Sequence, residues 1–77
     1  MNKARKKRLK DALDLLQQAN EIIATVADEE DAAFDNMPEA FQESERGQYM
    51  EDCIGWMDDA MSSIDDAKMQ LEEITGG

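Results

Sequence analysis

A chain of 77 residues with a net charge of −11, 35% charged and 42% hydrophobic, has room for one domain, expected to span residues 1–77, and buries only a modest share of its surface as a lone monomer. A single cysteine rules out an intramolecular disulfide and the lack of histidine removes the commonest zinc and di-iron ligands, so oligomerisation is the expected supplement to a small core and no cofactor is expected. No apolar run approaches the roughly 20 residues that span a bilayer, and one free thiol suits a reducing compartment; a cytoplasmic protein with no membrane partner is the expectation.

Six of the eight basic residues crowd into the first ten positions: Lys3, Arg5, Lys6, Lys7, Arg8 and Lys10. No apolar signal core comes after them, and positions 1–8 are expected to form a basic, frayed terminus. The rest of the chain carries nineteen acids against two bases, Arg46 and Lys68, a net −17. Such a body disfavours direct nucleic-acid binding and favours a basic protein as partner.

The first glycine is Gly47 and the one proline is Pro38, so a single interior break is expected. Helix 1 is predicted over about 3–35. Its apolar residues fall in heptad register, with Leu9, Leu16 and Ile23 at a, joined off-pattern by Glu30, and Ala12, Ala19, Val26 and Ala33 at d. Leu13, Ala27 and Phe34 stand at e, Leu15 and Ile22 at g.

The bend is predicted over 36–44. Asn36 suits the cap of one turn, with Pro38 preset for its start. Met37 and Phe41 are expected to plug the connection. Ser44 is a good N-cap for the second long helix, and Glu45 suits the positive end of a helix dipole.

Helix 2, over about 45–75, repeats one pattern four times: a large apolar residue, two acids, then a small or apolar residue. Position a takes Met50, Met57, Ile64 and Leu71; position d takes Cys53, Ala60, Ala67 and Ile74. Gly76 and Gly77 end it. Two helices of about 45 Å joined by a short bend pack antiparallel. The fold class is therefore all-α, a long antiparallel helical hairpin, with the basic start of helix 1 expected beside Glu72 and Glu73.

The apolar arc exceeds one seam. Leu13, Ile54 and Met61 at e, with Leu15, Ile22, Tyr49 and Trp56 at g, widen it to roughly 160°. Leu15, Ile22, Tyr49 and Trp56 are the candidate self-association residues, and a homodimer forming a four-helix bundle is the expected consequence. Positions b and c of helix 2 hold Glu51, Asp52, Asp58, Asp59, Asp65, Asp66, Glu72 and Glu73. This carboxylate stripe is the candidate surface for a basic partner; its plainer reading is a solvated outer face. Cys53 lies in the seam with no histidine to activate it. No nucleophile–base pair, phosphate loop or metal cluster is present, so no enzyme is expected.

The run Asn36-Met37-Pro38-Glu39-Ala40-Phe41-Gln42-Glu43-Ser44-Glu45-Arg46-Gly47, continued by apolar–acid–acid–Ala heptads, resembles a group of small proteins encoded by phages and prophages of Gram-positive bacteria, which share an N-[LM]-P-E-x-x-Q-x-S-E-R-G segment. The likeness covers about residues 20–75. It implies a phage or mobile-element origin, hence a bacterial host cell, more than a biochemical role. It would also fit a tightly built bend in which Asn36, Pro38, Phe41, Ser44, Arg46 and Gly47 form the hairpin tip, Arg46 reaches a nearby carboxylate and Gly47 allows close approach of backbone or ligand. The expected role is a non-enzymatic protein–protein interaction module, an acidic inhibitor of a host nuclease or defence complex, with a basic host or phage protein as partner. The alternative is a structural or assembly accessory whose main interaction is with itself.

Overall fold

A computed structural model describes residues 1–76; Gly77, the last residue of the expected helix stop, lies outside the described residues. Two long helices, α1 (Lys3–Asp35) and α3 (Glu45–Thr75), pack along their length, joined through the single-turn helix α2 (Glu39–Gln42). The particle measures 58 × 15 × 13 Å, a rod two helices wide. No strand occurs among the described residues. This is the all-α hairpin, with both long helices at the predicted bounds.

Local chemistry sets the helix ends. Asn2 caps α1, its Oδ1 accepting from the Arg5 N–H at 2.9 Å, so the basic run is helical from Lys3 rather than the frayed terminus expected. Asn36 does not cap the turn after it. It is the C-cap of α1, its N–H donating to the Ala32 carbonyl at 3.1 Å. Pro38 sits one place earlier than expected, at the N-cap of α2 with φ −56°. Its extended backbone turns the chain before the short helix begins.

The tip is held by side chains that satisfy stray backbone groups. The Gln42 amide donates to the carbonyls of Phe34 at 3.0 Å and Met37 at 3.1 Å, tying α2 back to the end of α1. Ser44 is the N-cap of α3, accepting from the Gly47 N–H at 3.3 Å, and its hydroxyl donates to the Phe41 carbonyl. Gly47 is buried, and a Cβ there would lie 2.1 Å from the Gln42 carbonyl oxygen. The first turn of α3 therefore runs against the backbone of α2, which is why a residue without a side chain stands there.

The seam departs from the expected a and d positions. Leu9, Leu16 and Ile23 at a are half-buried, as are Ala12 and Ala19 at d. Toward the tip the inward positions become Ala27 and Phe34 at e, while Val26 and Ala33 at d are exposed. Helix α3 behaves alike: Ile54, Met61, Lys68 and Thr75 at e are half-buried, and Ala60 and Ile74 at d are exposed. A helix of 3.6 residues per turn drifts about 20° per heptad against a strict seven-residue repeat, and this drift moves the seam from d to e.

The core is thin. Among the described residues Ala27 is the one buried apolar side chain, at 6% exposure, and no side chain is fully buried. The chain exposes 5799 Å², against roughly 4,700 Å² for a compact monomer of this mass.

Candidate functional site

Two edges flank the seam, and they differ in kind. On the e side the helices are clasped by polar groups. The Asn20 amide donates to Asp65 Oδ1 at 2.8 Å, and the Lys68 ammonium donates to Gln17 Oε1. Residue numbers rise along α1 as they fall along α3 through these clasps, so the helices are antiparallel. Counting from either clasp, Thr75 stands level with Lys10, and the residues before Lys10 overhang the end of α3. The expected pairing of the basic start with Glu72 and Glu73 is accordingly not formed; neither carboxylate has an ion-pair partner among the described residues. Within the basic run, Lys7 pairs with Asp11 of its own helix at 3.7 Å.

The d and g side is open and apolar. At about 100° per residue, Leu15, Ile22, Val26 and Ala33 fall within about 40° of arc on α1, and Tyr49, Trp56, Ala60 and Ile74 within a similar arc on α3. Because the helices are antiparallel, both arcs look out from the same face of the rod. Their large side chains are uncovered: Leu15 and Ile22 are 65% exposed, Tyr49 62%, Trp56 60% and Val26 45%. All four candidate self-association residues lie on this face. Val26, Ala60 and Ile74 join them because the seam drifts to e, a shift that heptad letters alone conceal.

Tyr49 and Trp56 form a unit on this face, their rings edge to face with centroids 6.3 Å apart and planes at 75°. The Cys53 side chain lies beside Tyr49 and raises its phenol above the ordinary value, through hydrogen bonding first and then through charge, with burial and the Glu30 carboxylate acting in the same direction. Cys53 itself is half-buried.

All eight carboxylates of the candidate stripe are exposed. They do not share one back face. Asp52, Asp59, Asp66 and Glu73 point away from the seam, whereas Glu51, Asp58, Asp65 and Glu72 stand at the clasped edge, where Asn20 already engages Asp65. Among the described residues no three Cys, Asp or Glu side chains converge to hold a metal ion.

At the tip, Phe41 and Arg46 join Ala33, Met37, Ser44 and Met50 around an open recess. Met37 is half-buried and Phe41 exposed, so the plug is Met37 alone. Arg46 makes no ion pair with a nearby carboxylate among the described residues. The close approach at Gly47 is to the backbone of α2 and leaves no space there for a ligand. No described helix is long and apolar enough to cross a membrane.

The residues that sequence reasoning passed over are Gln17, Asn20, Gln42 and Lys68. Their signal is polarity at or beside the apolar arc, legible only once the seam is known to use e. Comparison with family models, curated proteins and solved structures finds no match for this chain.

Proposed function

We propose that this chain is a non-enzymatic protein–protein interaction module that works as a self-associated helical hairpin. The observation that carries this reading is the uncovered apolar face of Leu15, Ile22, Val26, Tyr49 and Trp56 beside a seam in which, among the described residues, Ala27 is the one buried apolar side chain. The chain exposes 5799 Å², roughly 1,000 Å² more than a compact monomer of its mass. That excess is of the order that one partner contributes to a stable interface, about 800 Å². Burying it in a homodimer, as a four-helix bundle, supplies the core the hairpin lacks.

With the apolar face covered, the outward surface is acidic. The carboxylates of α3 and the net −17 of residues 11–77 favour a basic protein as the further partner, in the cytoplasm of a bacterial host, with no role for nucleic acid or membrane. The likeness of the Asn36–Gly47 segment to small phage proteins supports an origin on a phage or mobile element, where an acidic inhibitor of a host nuclease or defence complex is the fitting role. An assembly accessory that binds mainly itself is the second reading, and the size of the apolar face favours it.

Trp56 is the single tryptophan and reports on the face directly. Its emission should be blue-shifted and shielded from a soluble quencher at micromolar concentration, and should shift red on dilution. Fully quenchable emission at every concentration, in a folded protein, would remove the self-association on which this reading rests. Salt-sensitive capture of a basic host protein would support the inhibitor over the accessory.

A further inference from the structure

We infer that the second copy lies face to face with the first and antiparallel to it, tip against open end, about a two-fold axis that crosses the rod at Ala24 and Met61. This rests on the self-association proposed above and adds its geometry. The apolar face is self-complementary in one orientation only. On α3, Tyr49 and Ile74 lie symmetrically about the Met61–Ser62 step, and so do Trp56 and Ala67. On α1, Leu15 and Ala33 lie symmetrically about Ala24, and so do Ile22 and Val26. The Asn20–Asp65 clasp makes Ala24 level with Met61, so two helices with unrelated sequences give the same dyad. A two-fold there sets α1 on the partner's α1 and α3 on the partner's α3. Trp56 then meets the partner's small Ala67, Leu15 the partner's Ala33, and Tyr49 the partner's Ile74, large against small or apolar in each case.

The parallel arrangement, tip against tip, sets α1 on the partner's α3 at the same level. Leu15 would then face Gln70, Ile22 Ser63, Trp56 Glu29, and Ile74 Asp11. Each large apolar residue would meet a polar one.

The charges at the two ends of the rod select the same answer, although the arrangement also sets the acidic α3 helices of the two copies side by side. Helix α1 has no acid in its first turn and no base in its last; its basic run sits at the positive end of its dipole and Asp31 and Asp35 at the negative end. Within the hairpin Lys7 pairs with Asp11, while Lys3, Arg5 and Arg8 stand beyond the level of Thr75 as counted from the Asn20–Asp65 clasp. The antiparallel two-fold carries that overhang to the end of the partner's tip and past it, the end of the rod at which Glu39, Glu43 and Glu45 stand. The parallel arrangement would set the two basic ends side by side.

The test is oxidative cross-linking in a Cys53→Ala background, with helicity checked first. Ala60 is exposed and lies close to the dyad, so its copy in the partner is offset by only about 4–5 Å along the helix, within reach of a disulfide after slight adjustment. Ala60→Cys should oxidise to a covalent dimer that keeps its helix content. In a mixture of Ile22→Cys and Ser63→Cys chains, read by mass so that bonds between unlike chains are told from bonds between like ones, no disulfide should join an Ile22→Cys chain to a Ser63→Cys chain, because those positions face each other only in the parallel arrangement. The reverse pattern, or a stable dimer that forms neither bond, would overturn the antiparallel geometry. A folded protein that stays monomeric at all concentrations would instead defeat the self-association beneath it.

Discussion

Asn20 donates to Asp65 at 2.8 Å across 45 positions of sequence, on the edge of the hairpin opposite Trp56. Its other amide atom, Oδ1, is buried without a hydrogen-bond partner. An unpaired buried acceptor costs about 1–3 kcal/mol, so the pair contributes little net stability. What it contributes is alignment: a polar pair at the edge of an apolar seam penalises any slip of one helix along the other. Asn20→Leu should therefore raise the melting temperature while loosening the register. Circular dichroism on heating would read the first effect and backbone hydrogen exchange at the tip the second. A clear fall in melting temperature would mean that the clasp is a net stabiliser.

Gly47→Ala strikes the tip. The added methyl would lie 2.1 Å from the Gln42 carbonyl oxygen and 2.6 Å from that of Phe41. Both are backbone atoms, so relief requires α2 to move. The expected cost is about 1–3 kcal/mol, as for overpacking elsewhere. It should appear as a lower midpoint in urea with most helicity retained, and wild-type stability would show that the bend is looser than its geometry implies.

Tyr49 is the single tyrosine, so its phenolate can be followed by ultraviolet absorbance alone. Folding raises its pKa above 10.0, first through the Cys53 side chain. A folded-state pKa above the unfolded value gives a stabilising contribution that is complete below pH 10.0 and is lost as pH climbs through the raised value. The titration midpoint should lie above that of the urea-unfolded chain. Cys53→Ala should bring the two closer, leaving the smaller rise due to burial and Glu30. Equal midpoints in the wild type would contradict the contact.

The two helices were legible because nothing breaks either one. Neither Lys3–Asp35 nor Glu45–Thr75 contains proline, and the glycines at Gly47 and Gly55 are tolerated. Ser44 was legible as a cap because a serine ahead of an acid-first helix has few other uses. The seam was not. Heptad letters assume a supercoil, whereas this rod drifts toward the 3.6-residue period, which takes Ala27 and Phe34 inward and leaves Val26 outward. The clasps were hidden for the same reason, since Asn20 and Lys68 occupy e, a position that reads as surface until the seam moves. Asn36 misled because asparagine serves either end of a helix, and the proline two residues on fixed which end it closes.

The carboxylates at the back of α3 can be tested without disturbing the clasp. Replacing Asp52, Asp59 and Asp66 with Asn and Glu73 with Gln spares Asp65 and its contact with Asn20. Relief of like-charge neighbours should leave stability equal or a few tenths of a kcal/mol higher. If the module acts on a basic protein, the variant should lose that binding, and the wild type should lose it as salt rises past the range where a Debye length of about 10 Å holds. Undiminished binding would move attention to the recess around Phe41 and Arg46.

The most direct measurement is sedimentation equilibrium of the wild type and of Trp56→Ala. A central aromatic in an interface commonly carries about 2 kcal/mol or more, close to thirtyfold in affinity. The wild type should run at twice its 8.7 kDa chain mass at micromolar concentration, and Trp56→Ala should shift toward monomer while its helices persist. A wild type that sediments as a well-folded single chain would contradict the account, because the face of Leu15, Ile22 and Trp56 would then be stable in water uncovered.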